Sequence, residues 1–263
     1  MTTFAIALEK SKARVAIDTM SNTGDSFTKI IPFPHIGAMT ITSGKAAMQP
    51  RLAYQLLLNN HIDTFDDFLE QAEDTCFAAY YQTCEELRDL EGIDCHIFSY
   101  PEKTAYPPLN VEFITIGYSN AEEQMIISTT SISNWDVNQF NIKNPQVCGR
   151  AADAIDEFEG KLGRYLNSSR EDLMACIGYQ AIWAEKQGFT IGSIGGGEIN
   201  IIDMDKDRHI SMSVSGTIED CINYAKGMLK PKVSVVKGKK PSKNALCPCG
   251  SGRKYKSCCG KVK

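Results

Sequence analysis

Nowhere in the 263 residues does an apolar run approach the roughly 20 that a membrane-spanning helix requires. No membrane span is therefore expected. The N-terminus also lacks the basic-then-apolar order of a secretory leader, so the expected location is cytoplasmic. Acidic residues are missing from one region altogether: Lys226 to Lys263 holds twelve Lys and Arg and no Asp or Glu, which leaves sixteen basic against thirty-two acidic residues before it. The net charge of −4 thus hides a basic tail on an acidic body. The histidines are few, and His35, His61, His96 and His209 have no metal-like spacing. The glycines from Gly192 to Gly197 precede a strand pattern instead of opening a helix after one, which argues against a dinucleotide fingerprint. No internal repeat is visible.

What is present in excess is cysteine, unevenly spread. Cys76, Cys84, Cys95, Cys148, Cys176 and Cys221 are scattered among helical and strand patterns and read as reduced core thiols. Cys148 lies beside Gly149 with no local base, so it too reads as a buried thiol and not as a nucleophile. Cys247, Cys249, Cys258 and Cys259 instead crowd into thirteen residues as C-x-C-x8-C-C, with Gly250, Ser251 and Gly252 to reverse the chain between the pairs. Disulfides are one use for four such thiols. Tetrahedral Zn²⁺ is the better one, because two close pairs on a reversing loop supply four thiolates from a short peptide. The segment resembles the SEC-C motif, the small zinc module at the end of the SecA translocase motor and of other bacterial proteins. The last ligand of that motif is often histidine and here is Cys259, which suits zinc equally.

The pattern divides the chain into a body at 1–229, a basic linker at 230–244 containing Pro231, Gly238 and Pro241, and a zinc-binding module at 245–263. More than 220 residues are enough for one full core. In the body, alternation over Thr3–Glu9 and Ala13–Met20 predicts a hairpin, and Lys29–Phe33 with Ile36–Ile41 a second pair. Lys45–Leu58 reads as a helix with Pro50 in its first turns. Phe65 to about Leu90 reads as a long helix, with Thr64 and Asp67 as a capping box and Gly92 as a stop signal. Strands are expected at Cys95–Tyr100, Val111–Tyr118 and Gln124–Thr129, and helices at Ala151–Leu166 and Ser169–Lys186. Strands at Glu198–Met204 and His209–Val214 close the order. Runs of antiparallel strands alternating with helix pairs predict an α+β fold, two sheets between helical layers.

Loss of Met1 would expose Thr2 with a hydroxyl and a free α-amine on one residue. An α-amine ordinarily titrates at about 7.7 to 8.0 and is a usable base near neutrality. A hairpin turning near Ser11 pairs residues whose numbers sum to about 22, which brings Thr2 near Met20 and Asp18 to the same end of the sheet. Lys29 begins the next strand and can return there. Its ammonium would favour the neutral amine and stabilise an alkoxide, with Asp18 holding it. The turn at Thr42, Ser43 and Gly44, before a helix, offers backbone N–H groups for an oxyanion.

M-T-T-F-A-I-A-L, V-A-I-D-T, T-K-I-I-P-F, H-I-G-A-M-T-I-T-S-G-K-A-A and G-G-G-E-I-N-I-I-D-M resemble, in order and spacing, a proteasome β-subunit and its bacterial two-component relative. The resemblance spans most of residues 2 to about 212. It implies an N-terminal nucleophile (Ntn) hydrolase with a four-layer αββα sandwich of two antiparallel sheets. It also implies Thr2 as nucleophile and base, Asp18 and Lys29 as its supporting pair, and the N–H of Ser43 or Gly44 as oxyanion donor. The implied activity is that of a threonine peptidase or amidohydrolase on a peptide or amide substrate, in a homo-oligomer. A catalytically inactive assembly or adaptor subunit is the rival. The family's serine before the third helix is replaced here by V-C-G-R at Val147–Arg150. Its aspartate-then-serine turn reads F-T-I-G-S-I-G-G-G from Phe189, where Ser193 alone can stand for a serine. The basic tail suits a protein partner, ribosomal RNA or the acidic body itself, or serves as a solubilising linker.

Overall fold

The computed structural model describes residues 3–19, 28–43, 48–59, 61–91, 110–133, 136–144, 146–189, 196–230, 242, 244–247 and 253–260. The chain divides into two compact units, Met1–Leu229 and Lys230–Lys263.

The first unit holds ten strands and five helices among its described residues, an α+β arrangement of two antiparallel sheets. Strands β1 (Phe4–Leu8) and β2 (Lys12–Asp18) form the expected hairpin. Its partners sum to 21, as in Phe4↔Ile17 and Ala5↔Ala16, and not to 22. The reason lies in the turn: Glu9 N–H donates to the Lys12 carbonyl at 2.8 Å, so only Lys10 and Ser11 form the loop. The shift of one residue brings Thr3 against Asp18. Strand β9 (Glu198–Asp205) pairs with the other side of β2 and with β10 (Ile210–Thr217), while β8 (Val147–Gly149) flanks β1, for the order β10-β9-β2-β1-β8. The second sheet runs in chain order, β3 (Ile30–Phe33), β4 (Ala38–Ser43), β5 (Val111–Ser119), β6 (Gln124–Ser133) and β7 (Asp136–Ile142).

Alternating side chains distribute each sheet between two cores. Phe4, Ile6, Val15, Ile17 and Ile202 of the first sheet share one cluster with Ile30, Met39, Ile41, Ile114 and Ile127 of the second. The opposite face of the first sheet, with Ala5, Ala16, Ile199 and Ile201, packs with α3 (Ala152–Leu162), α4 (Arg170–Lys186) and α5 (Ile218–Leu229). That of the second, with Ala38, Phe113 and Ile126, packs with α1 (Met48–Leu58) and α2 (Phe65–Glu91).

Several local expectations hold in atomic detail. Pro50 sits in the first turn of α1, where its missing N–H costs nothing. Thr64 and Asp67 exchange hydrogen bonds, Thr64 N to Asp67 Oδ2 at 2.8 Å and Asp67 N to Thr64 Oγ1 at 3.1 Å. Helix α4 begins where expected, after Ser169, whose hydroxyl accepts from Asp172 N at 3.2 Å. Helix α3 stops at Leu162, four residues short of the expected end, because Gly163 takes a left-handed conformation (φ 65°) and its N–H returns to Gly160. Strands β7 and β8 and helix α5 were not anticipated. The expected strand Cys95–Tyr100, the stop at Gly92 and most of the linker lie outside the described residues.

Candidate functional site

Asp18 is the last residue of β2 and has no exposed surface. Its Oδ1 accepts the backbone N–H of Thr3 at 2.9 Å, and its Oδ2 accepts Lys29 Nζ at 2.6 Å and the Gly196 N–H at 3.0 Å. Lys29 immediately precedes β3 and is also buried. One ion pair therefore bridges the end of a central strand in the first sheet and the start of the second. Burial pushes the Asp18 carboxyl above its ordinary value, while the Lys29 ammonium and the Thr3 and Gly196 amides work against that rise. An ammonium held in a dry site beside its counter-ion is a fixed positive field for whatever group approaches it.

Two of the five residues expected at this site are thus brought together. Ser43 ends β4, two residues past Ile41, which is the register partner of the Ile30 that follows Lys29. Its neighbour Thr42 has a buried hydroxyl with no hydrogen-bond partner among the described residues. Thr2 and Gly44 lie outside the described residues. Sequence reasoning missed the parts played by Thr3 and Gly196. In the glycine run, Gly196 supplies a donor to Asp18, and Gly197 (φ 72°) turns the chain into β9. The pairing of β9 with β2, Ile199 against Asp18, carries that amide to the carboxylate.

Four of the body thiols are poor candidates for a rival nucleophile. Burial pushes Cys76, Cys148 and Cys221 up to about 12 and raises Cys176 as well, so none is a thiolate near neutrality. The Cys148 thiol donates to the Ile6 carbonyl at 3.7 Å. Cys95 lies outside the described residues.

In the second unit the sulfurs of Cys247, Cys258 and Cys259 lie within 4.8 Å of one another. A bridge between Leu246 and Lys254 closes the loop, and Cys247 N–H donates to the Arg253 carbonyl at 2.7 Å. A 3-10 turn at Tyr255–Ser257 then delivers Cys258, whose N–H returns to the Tyr255 carbonyl. The Cys258 and Cys259 sulfurs are 3.9 Å apart. That is far longer than a disulfide of about 2.05 Å. It matches the edge of about 3.8 Å that four sulfurs about 2.3 Å from a tetrahedral zinc would share. Cys249, the fourth expected ligand, lies outside the described residues.

Residues 244–261 match the SEC-C motif. A stretch of 27 residues, 10% of this chain, is 74% identical to the protein translocase subunit SecA of Finegoldia magna, and 44 residues are 46% identical to SecA 1 of Clostridioides difficile. The chain spans only 3% and 5% of the length of these two relatives. The body shares its fold with Anbu. A solved structure of an Anbu (Gly-1) mutant from Hyphomicrobium sp. strain MC1 aligns over 86% of this chain and 93% of that one, with a TM-score of 0.53 and 13% identity. Anbu (ancestral beta-subunit) from Yersinia bercovieri aligns over 93% of this chain and 100% of that one, at a TM-score of 0.48 and 13% identity. The fold resemblance is therefore to Anbu, and the cysteine module resembles a segment also present in SecA.

Proposed function

We propose that the chain is a threonine amidohydrolase of the N-terminal nucleophile type, acting as a peptidase. The observation that carries this reading is the hydrogen bond from Thr3 N–H to Asp18. That amide is the one joining Thr3 to Thr2, so the residue bearing the nucleophile is one peptide unit from the buried Asp18–Lys29 pair. With Met1 removed, the Thr2 hydroxyl attacks the scissile carbonyl as its own α-amine takes the hydroxyl proton. Lys29 keeps that amine neutral by like-charge repulsion and stabilises the developing negative charge, and Asp18 holds Lys29. The N–H of Ser43 or Gly44 donates to the oxyanion. The tetrahedral intermediate collapses by breaking the C–N bond. The leaving amine takes the proton from the α-amine, and Thr2 is left as an ester. Water, deprotonated by the same amine, hydrolyses the ester and restores the hydroxyl.

Mass spectrometry of the intact protein is the test. Processed protein lacking Met1 should gain one covalent adduct at Thr2 from an electrophilic peptide mimic, and Thr2→Ala should gain none. Processed protein with a free Thr2 amine and no adduct from several electrophile classes would hand the chain to the rival reading, a catalytically inactive assembly or adaptor subunit.

The same reading takes the three cores as the seams of a four-layer αββα sandwich at 1–229, followed by a basic linker at 230–244 and a zinc-binding module at 245–263. Cys247, Cys249, Cys258 and Cys259 hold the zinc as thiolates, and the ion's contribution is to order a segment too short to fold by itself. The body assembles into a homo-oligomer in the cytoplasm, and the basic tail recruits an acidic partner, a protein surface or the ribosome. Shared fold, donor chemistry and charge support these assignments.

A further inference from the structure

A second polar site lies in the body on a different set of turns. The β3–β4, β5–β6 and β9–β10 turns enclose a cavity of about 60 Å³ whose lining includes the buried Ile36 and Phe65, together with Tyr118, Asn120, Lys206 and Arg208. Among the described residues neither Lys206 nor Arg208 has a carboxylate partner. The Arg208 guanidinium makes one hydrogen bond, to the His35 carbonyl at 2.5 Å, and the rest of its donors are open. Two neighbouring acids are engaged elsewhere, while Asp207, between the two cations in sequence, is exposed and has a carboxylate oxygen within 4.8 Å of Asp205 and His209 ligand atoms. Asp66 accepts the Asn120 and Ala121 amides, and Asp205 accepts Asp207 N and both the amide and ring nitrogen of His209.

The arginine is held in place by more than that one bond. Arg208 itself adopts φ 67°, a left-handed conformation uncommon outside glycine, and its N–H closes the turn onto the Asp205 carbonyl at 3.1 Å. Its side chain lies across Gly37, where an added Cβ would come within 2.9 Å of Arg208 Cγ and 3.0 Å of Nε. The adjacent Lys206 is fixed at its backbone, whose N–H donates to the Ser11 carbonyl at 2.9 Å. Two cations without counter-ions, one of them held over a glycine, thus line a small cavity that also has an apolar wall. Both side chains are exposed, so an anion there would gain charge-assisted hydrogen bonds from the two cations at a partly solvated site.

We propose that this cavity binds a small oxyanion, a phosphate group or a carboxylate, between Lys206 and Arg208. The experiment is calorimetric titration of the full chain with inorganic phosphate and, separately, with acetate, at an ionic strength held constant with chloride. A saturable isotherm is expected in at least one arm, and the arm that saturates identifies the group. Lys206→Gln with Arg208→Gln should weaken it at least tenfold. Gly37→Ala, which keeps both cations but displaces the arginine, should weaken it too, with the circular dichroism spectrum checking that the fold survives. Thr2→Ala should bind like the parent, because the site does not depend on the proposed catalysis. The proposal is overturned by absence of saturation in both arms, or by binding that survives intact in the double variant, which would assign it to the basic tail.

Discussion

The Asp18 carboxylate receives three donors while buried, and this makes its neighbourhood sensitive to loss of any one charge. Lys29→Ala leaves an uncompensated buried carboxylate and is expected to cost about 3 to 5 kcal/mol in urea unfolding. Adding Asp18→Asn to it removes that charge and should restore much of the loss, while Thr2 labelling stays absent. Equal stability of the single and double variants would show that the pair is not the source of the effect. A second carboxylate gives a pH signature. Burial alone would raise Asp172, but the Arg164 fork at 2.6 and 2.7 Å, together with the Asn167 amide, overrides it and holds the carboxyl below its ordinary value. A depressed carboxylate contributes stability above its unfolded pKa and loses it as the pH falls through the folded one. Asp172→Asn should therefore cost about 2 kcal/mol at pH 6. The difference from the parent should shrink as the pH drops below about 4. A difference that does not change with pH would place the effect in packing instead of charge. At this scale the sequence indicated Asp18 and Lys29 by residue type and strand position. It left out Thr3 and Gly196, whose roles belong to backbone amides that no side-chain pattern reports.

Helix α4 shows how an element can be fully determined by its neighbours. It has buried residues almost all round, from Asp172 to Ala184, because the first sheet, α3 and α5 share its core. Where α4 and α5 pack against each other, a Cβ on Gly178 would lie 2.0 Å from the Cys221 carbonyl oxygen, a backbone atom that cannot swing aside. Gly178→Ala should destabilise by at least about 1 to 3 kcal/mol. Gly160→Ala on α3, with nothing within 4 Å of the new methyl, should stabilise by about 0.5 to 1 kcal/mol. Thermal midpoints moving in opposite directions would verify the pair, and a neutral Gly178→Ala would refute the close approach. Helix α5 was legible and overlooked: Ile218, Cys221, Ile222 and Ala225 fall at helical spacing, behind a Thr217–Asp220 capping box with bonds of 2.8 and 3.3 Å. Strands β7 and β8 were not legible. One is a polar edge strand with Phe140 facing solvent, and the other has only three residues, so neither shows a clean alternation.

For the whole molecule, the basic cysteine-rich unit and the acidic body call for separate measurements. Protein purified without added metal should contain one zinc per chain by elemental analysis, and Cys258→Ser should release it, because three thiolates leave the tetrahedron open. A metal-free chain with an unchanged proteolysis pattern in the tail would sink the zinc assignment. Light scattering at working concentration checks the proposed oligomer, a monomer counting against it. The sequence by itself determined the features that rest on local chemistry. These are the cysteine spacing, the separation of charge, the capping boxes, and the alternation that makes two sheets with helices. Apart from the separation of charge, which composition alone reports, each depends on residues close together in the chain, where spacing sets geometry. Tertiary structure decided the rest. A two-residue turn moved the hairpin register by one and set Thr3, not its neighbour, against Asp18. Pairing of β9 with β2, strands distant in the chain, brought the Gly196 amide to a carboxylate 178 residues before it. The meeting of Lys29 with Asp18 joins strands of different sheets, and its burial depends on a core to which both sheets contribute. Such contacts are set by long-range packing, and local periodicity carries no record of which distant strand lies alongside.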